Sequence, residues 1–157
     1  MEKNKLGCYD LMIVAKYFNS TQDYINLELS TPKAKDMMHR FKFNAIPLDT
    51  FNINFFDTVE TLHLYSRGDN HFKEKEYYKR IIWYEVTYSE FKRNTNESII
   101  YKNVTLTEGD IKKYKLKEIP EGITSLGDEC FRDGSRFREL IIPNSIISYF
   151  CNRIRNS

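Results

Sequence analysis

A length of 157 residues suits one domain, or one small module followed by a short array, and it is enough chain to bury a core without cross-links. Hydrophobic residues make up 41% and charged residues 29%, and the formal net charge of +2 is too small to argue by itself for a nucleic-acid or membrane partner. The three cysteines include no Cys-x-x-Cys pair, which speaks against a disulfide framework or a zinc module and favours a reducing, intracellular setting.

The first part of the chain is predicted to be helical up to about residue 48. Apolar residues at positions 11, 14, 15 and 18 follow the spacing that places side chains on one helical face, and positions 34, 37, 38 and 41 follow it again. Ser20, with Asp23 three positions later, is a helix start close to a capping box, and Thr31 before Pro32 is another start. Three short helices with short links are expected to pack as one small bundle.

After residue 48 the pattern becomes that of strands. Residues 59–65 alternate apolar and polar side chains. Residues 80–88 are rich in β-branched and aromatic side chains, residues 99–106 are a third candidate, and residues 138–142 a fourth. Polar links separate these segments, so each is predicted to be a separate strand.

The spacing between corresponding apolar residues indicates a repeat. Leu62, Ile82 and Val104 recur at nearly equal intervals, and Ile119 and Ile142 are separated by a similar one. These intervals fall within the period of about 20 to 29 residues, with one strand per unit, that is typical of leucine-rich-repeat solenoids. A single strand with one apolar face cannot bury that face alone, whereas parallel neighbours complete the ladder and share a core. We therefore predict parallel strands in an irregular solenoid.

Residues 119–146 both open and close with Ile-Pro-x-x-Ile. The matching positions of the wider pattern are Ile119, Pro120, Ile123, Leu126, Gly127, Phe131, Leu140, Ile142 and Pro143. This order resembles one BspA-like leucine-rich repeat, with Gly134 in place of the family's small Cys and Phe137 in place of its Leu. The whole layout is similar to the BspA-like proteins of parasitic amoebae, and the resemblance implies a protein-binding surface without catalysis.

The helical segment from Leu6 to Phe41 carries a second resemblance. Its apolar and acidic spacing is similar to that of an F-box at Leu6, Leu11, Val14, Phe18, Asp23, Tyr24, Leu27 and Ala34. Gly7 stands where that family has a Pro after the first Leu. The resemblance implies that the segment docks an Skp-type adaptor through Leu6, Leu11, Val14 and Tyr24, which would make the chain a substrate receptor of a ubiquitin ligase.

Taken together, these patterns predict an α+β chain with a helical F-box-like head at residues 1–48 and a leucine-rich-repeat section at residues 49–157. The leading predicted function is non-enzymatic recognition of another protein by the repeat surface. The outward strand positions predicted to contact the partner are Glu60, Thr61, His63, Tyr65, Arg138, Glu139 and Ile141. The ubiquitin-ligase receptor, a cell-surface adhesin and a hidden enzyme remain as alternatives.

Several other functions find little support in the residues. No nucleophile elbow, phosphate loop, dinucleotide fingerprint or calcium loop is present, and His39, His63 and His71 do not fall at a metal-ligand spacing, so no cofactor and no metal are expected. The basic and aromatic residues of 71–93 are interleaved with glutamates that would repel phosphate, which argues against a nucleic-acid partner. No stretch approaches the about 20 apolar residues of a membrane span, and no signal peptide is recognisable, so a cytoplasmic protein is expected.

Overall fold

The computed structural model describes residues 6–128, 130–131 and 141–149. Helices and strands are mixed along the chain, in agreement with the predicted α+β class. The residues cluster into two units, Met1–Ile81 (unit 1) and Ile82–Ser157 (unit 2). The boundary predicted after residue 48 lies inside unit 1.

The described residues contain four α-helices and five strands. The helices are α1 (Cys8–Ala15), α2 (Thr21–Ser30), α3 (Tyr88–Arg93) and α4 (Glu108–Tyr114). The strands are β1 (Thr61–Leu64), β2 (Lys79–Thr87), β3 (Ile99–Leu106), β4 (Ser125–Leu126) and β5 (Ser148–Tyr149). Short 3-10 turns occupy Pro32–Ala34, Met38–Arg40 and Asn52–Phe56.

The helical part of unit 1 begins as the sequence predicts and then departs from it. Ser20 caps α2 by accepting a hydrogen bond from the Asp23 N–H, and the Asp23 carboxylate accepts one from the Ser20 N–H in return. The third helix predicted from residue 31 consists instead of two 3-10 turns. Asp36 between them has a φ of 57°, a conformation that an α-helix cannot include.

Aromatic packing around Tyr24 forms the core of unit 1. The Tyr24 side chain is fully buried, and its ring meets Phe18, Phe41 and Phe56 edge to face, with centroids 5.1, 5.8 and 5.4 Å away. Edge-to-face contacts of this kind add about 0.5–1.5 kcal/mol each to the free energy of burial. The core thus ties α2 to the segment that leads into β1.

The sheet pairing of unit 1 begins at Phe43. Phe43 and Thr61 form a parallel bridge, and the Lys42 carbonyl accepts hydrogen bonds from the backbone N–H groups of Glu60 and Thr61. Along β1, Leu62 and Leu64 are buried while Thr61 and His63 are half-exposed. This alternation follows from the two-residue period of a strand, and it gives β1 one core face and one accessible face.

In unit 2, four strands form a parallel sheet in the chain order β2-β3-β4-β5. Thr105 pairs with Ser125 and Leu106 with Leu126, and the register then continues from Ser125 to Ser148. The core face buries Ile82 and Val86, then Val104 and Leu106, then Leu126. Each strand is too short to be stable alone, so the parallel neighbours supply both the ladder and the shared core.

A side-chain cap follows each of the first three strands. After β2 the Thr87 N–H donates to Glu90 Oε2 (2.8 Å), while the Glu90 N–H donates to Thr87 Oγ1 (3.3 Å). Thr107 and Asp110 repeat this capping box at the corresponding position after β3. After β1, the Ser66 N–H and hydroxyl both donate to the Asp69 carboxylate. The cap turns the chain away from the sheet where each strand ends.

The carboxylate of Asp110 joins two of these caps. Its Oδ2 accepts hydrogen bonds from the Thr107 N–H (3.1 Å) and hydroxyl (2.7 Å), and its Oδ1 accepts from the Ser89 N–H (3.1 Å) and hydroxyl. Asp110 is only 3% exposed, so these four donors take the place of the water molecules that would otherwise bind its carboxylate. The same side chain therefore fixes the start of α4 and its position beside α3.

The strand predicted at residues 138–142 is not present in the part of that segment that the structure describes. Residues 138–140 lie outside the described residues, and Ile141 and Ile142 are not in a strand. The strands that the described residues of this region form are β4 and β5, which contain Leu126 and Tyr149. The prediction took the most apolar run for the strand, whereas Ile141 and Ile142 are exposed.

Asp110→Ala is expected to lower the free energy of unfolding by about 3 kcal/mol, because the donors of Ser89 and Thr107 lose a charged acceptor. Asp110→Asn should cost less, since its remaining oxygen can still serve one of the two caps. Asp128→Ala, at an exposed position of the same unit, is the control and should change stability by less than about 0.5 kcal/mol. Urea unfolding measures all three, and equal effects at positions 110 and 128 would contradict this role.

Candidate functional site

Four of the predicted partner-binding residues lie in β1 or next to its ends, and all four are accessible. Thr61, His63 and Tyr65 are half-exposed at alternate positions, and Glu60 is exposed just before the strand. The Glu60 carboxylate lies 2.7 Å from the Lys42 ammonium group. The alternation that buries Leu62 and Leu64 places Thr61, His63 and Tyr65 on the opposite, accessible face, while Glu60 precedes the strand.

Aromatic rings form the centre of this surface. The His63 ring stacks on Phe43, with centroids 5.0 Å apart and planes 22° apart, and Tyr65 meets His63 at 6.0 Å. The Lys16 ammonium group lies 5.8 Å from the centre of the Phe43 ring. Rings of this kind are common anchors in protein interfaces, because they bury a large area with few rotatable bonds.

Buried Asn44 supports the surface from below. Its Nδ2 donates to the His63 carbonyl (2.8 Å) and the Ile46 carbonyl (2.9 Å), and its Oδ1 accepts from the His63 N–H (2.7 Å). The side-chain amide thus pairs with both backbone groups of His63, as a neighbouring strand would. Because Asn44 is fully buried and fully paired, it fixes the backbone at His63 and so the position of the imidazole ring.

Tyr65 is held at the end of the same surface. Its hydroxyl donates to the Asn44 carbonyl (2.8 Å), and its N–H donates to Asp69 Oδ2 (2.6 Å). Burial raises the pKa of Tyr65 to about 12, and the Asp69 carboxylate adds to the shift. The phenol therefore stays protonated at neutral pH and acts as a hydrogen-bond donor. Asp69 accepts bonds from the backbone of its own turn, so it stabilises the turn after β1.

Unit 2 carries a row of polar side chains across its sheet. Thr105 Oγ1 donates to Glu85 Oε1 (2.5 Å), Thr105 is in register with Ser125, and Ser125 is in register with Ser148. The Ser148 hydroxyl lies 3.3 Å from the Ser125 hydroxyl. Residues paired across adjacent strands place their side chains on the same face, so Thr105, Ser125 and Ser148 form a line across three strands. The hydrogen bond from Thr105 to Glu85 extends this line to β2.

Larger side chains flank this polar row on β2 and β3. The Asn103 side-chain amide donates to the Trp83 carbonyl, and the Lys102 ammonium group lies 5.9 Å from the centre of the Trp83 ring. Trp83 is 40% exposed, which is high for so large an apolar side chain. The outer face of the sheet thus offers an indole, a lysine and an amide beside small hydroxyl groups.

The sequence predictions missed this second surface. The signal was present as spacing, since Glu85, Thr105 and Ser125 lie at equal intervals along the chain and Ser148 follows after a slightly longer one. The predictions followed apolar residues, which recur with a similar period, and did not extend that period to the polar positions between them. Ser and Thr are also weak strand signals in isolation, because they favour turns equally well.

The remaining predicted site residues differ in exposure, and two of them lie outside the described residues. Arg138 and Glu139 fall outside the described residues, while Ile141 is 74% exposed. Among the predicted docking residues, Leu11 and Tyr24 are buried in unit 1, at 7% and 0% exposure. Leu6 and Val14 are exposed at 55% and 45%.

The described part of the chain contains no group of three His, Cys, Asp or Glu side chains that could hold a metal ion. His39 Nδ1 lies 2.7 Å from Asp57 Oδ1, and this hydrogen bond raises the pKa of His39 and lowers the pKa of Asp57. Both side chains are about half exposed, so the pair is an ordinary surface ion pair. Within the same residues no helix has the length and apolar character needed to cross a membrane.

Comparison of the chain with protein-family models, with curated proteins and with solved structures finds no match. The two surfaces are therefore interpreted from their own chemistry.

Asn44→Ala is expected to lower the free energy of unfolding by about 2–3 kcal/mol, because both backbone groups of His63 lose their buried partner. The His63 amide proton should also exchange with solvent faster, which hydrogen exchange followed by NMR measures. Asn26→Ala removes an exposed amide that bonds within α2, so it should change stability by less than about 0.5 kcal/mol. Unchanged exchange at His63 in Asn44→Ala would contradict the supporting role of Asn44.

Proposed function

We propose that this chain is a non-enzymatic protein-binding module of leucine-rich-repeat type, which contacts its partner with the outer faces of parallel strands. The observation that carries this proposal is the row of polar residues across the sheet of unit 2, in which Thr105, Ser125 and Ser148 are in register and Glu85 is hydrogen-bonded to Thr105. Parallel stacking of repeats produces a continuous face of this kind, and the side chains on it select the partner. The resemblance of residues 119–146 to a BspA-like repeat supports the same proposal.

The chemistry of the two faces suits recognition of a folded protein. The face of β1 presents stacked rings, and the face of unit 2 presents Trp83 on the strand that also carries Glu85. Protein interfaces combine a few aromatic anchors with a polar rim in this way. Most of these side chains are held by bonds to the backbone or to each other, so little conformational entropy is lost on binding.

Variants of the two faces test the proposal. Affinity capture from cells of the native source would identify partners of the wild-type chain, and each purified partner would then be titrated by calorimetry. Trp83→Ala and Ser148→Arg on unit 2, or His63→Ala on unit 1, should weaken binding by at least about tenfold. The unit whose variants weaken binding is the unit that contacts the partner.

Two control variants distinguish the loss of a binding face from general damage to the fold. Thr95→Arg adds the same charge and bulk at an exposed loop position of unit 2, and His71→Ala removes a second imidazole from unit 1. Both should bind as the wild type does. The proposal fails if no purified protein binds saturably, or if the control variants lose as much affinity as the face variants.

A second candidate function is docking of an Skp-type adaptor, and the outer face of α1 favours it. Leu6, Tyr9, Ile13, Val14 and Tyr17 are exposed at 55%, 75%, 40%, 45% and 80%, although all five are large and apolar. Within α1, the four-position spacing of Tyr9 and Ile13 places them along one side of the helix, with Val14 next to them, and Leu6 and Tyr17 lie just beyond its two ends. Such a stripe is typical of a helix that contacts another protein. The resemblance of this segment to an F-box supports an adaptor as that protein.

Retention of a purified Skp-type adaptor on immobilised protein tests this second candidate. Ile13→Asp should abolish retention, because it places a charge in the middle of the exposed stripe. Leu29→Asp is the control, since Leu29 is equally apolar and 82% exposed on α2. Failure of the wild type to retain the adaptor, or equal loss in both variants, would exclude adaptor docking by α1.

A further inference from the structure

Charge is unevenly distributed along α3 and α4. The acidic side chains lie in the first turns, namely Glu90 in α3 and Glu108 and Asp110 in α4. The basic side chains lie in the last turns, namely Lys92 and Arg93 in α3 and Lys112 and Lys113 in α4. The carboxyl-terminal ends of the two helices therefore form one basic area of unit 2.

The nearby carboxylates already form hydrogen bonds or ion pairs with other groups. Glu90 and Asp110 accept the capping hydrogen bonds of Thr87 and Thr107, and Glu108 pairs with Lys112. Among the described residues, neither Lys92 nor Lys113 has a carboxylate within 4.0 Å. The positive charge at these two ammonium groups is thus not neutralised within the described chain.

Lys92 and Lys113 both lie close to the ring of Tyr114. The Lys92 ammonium group lies 4.4 Å from the ring centre and the Lys113 ammonium group lies 5.0 Å from it. Lys113 Nζ also lies 3.5 Å from the Ser89 hydroxyl, and Tyr88 packs edge-on against Tyr114 at 5.6 Å. Hydrogen bonding to Ser89 lowers the pKa of Tyr114, and Lys113 and Lys92 lower it further.

Helix electrostatics alone does not account for this arrangement. A cation in the last turn interacts favourably with the helix dipole, and that explains one basic residue at the end of each helix. It does not explain why lysines from two different helices meet at one ring, because like charges repel each other at short range. The attraction of both ammonium groups to the Tyr114 ring offsets part of that repulsion.

We propose that the area formed by Lys92, Arg93, Lys113 and Tyr114 binds an acidic peptide segment of a partner protein. The carboxylates of such a segment would supply the negative charge that the two lysines lack. A nucleic acid fits less well, because single strands bind by stacking bases on open rings. The ring of Tyr114 is already contacted by two ammonium groups and by Tyr88, and Tyr88 itself is only 8% exposed. This inference is independent of the sheet face proposed above.

Fluorescence anisotropy with a fluorescein-labelled octaglutamate peptide at low ionic strength tests this surface. The wild type should bind the peptide, should not bind octaglutamine, and should lose affinity as salt is added, because screening weakens exposed ion pairs. Lys92→Glu with Lys113→Glu should weaken peptide binding by at least about tenfold. If circular dichroism shows that this variant is unfolded, Lys92→Gln with Lys113→Gln replaces it, with a smaller loss expected.

Lys35→Glu with Lys73→Glu is the matched control, because both lysines are exposed on unit 1 and the change in net charge is the same. It should retain the wild-type affinity within about twofold. The proposal is overturned if the wild type does not bind octaglutamate, or if both double variants lose affinity equally. Tighter binding of a labelled oligothymidine that also depends on Lys92 and Lys113 would show that the area takes nucleic acid instead.

Discussion

The reciprocal cap at the end of a strand is the interaction on which the rest of the structure depends. In a parallel sheet each strand must be followed by a return to the starting edge, so the chain has to leave the sheet at a defined point. Thr87 with Glu90, and Thr107 with Asp110, fix that point after two successive strands. Asp110 also bonds to Ser89, which couples one turn to the next. A buried charge with four donors allows little freedom, and so the spacing of the two helices is set.

Alternation along the strands then divides the sheet into two surfaces with different roles. One face carries Val86, Leu106 and Leu126, which are buried and supply the core of unit 2. The opposite face carries the polar row from Glu85 to Ser148, whose members bond to each other rather than to the core. The same division on β1 leaves His63 beside Phe43, held in place by Asn44. Both surfaces combine side chains held in place with accessible positions such as His63, Trp83 and Ser148, and the proposed recognition of another protein rests on this combination.

The caps also determine where charge is available. Acidic side chains cap the beginnings of α3 and α4, and basic side chains lie in the last turns of both helices. The area proposed to bind an acidic segment lies at these basic ends. The aromatic side chains contribute in a similar way, since Tyr114 supports two lysines in unit 2 and Phe43 lies beneath Lys16 in unit 1. Rings and cations together provide affinity that charge alone would not give in water.

The sequence by itself determined the local structures whose signals are complete within a few positions. The bounds predicted for β3 were residues 99–106, as observed, and the Ser20–Asp23 cap of α2 was recognised from its two side chains. Only the tertiary structure decided features that depend on distant partners. Ile141 and Ile142 look like a strand but lie outside one, whereas Ser148 joins the sheet because β4, earlier in the chain, offers it a partner. Short strands gain their stability from neighbours, so their location is decided by pairing rather than by local propensity.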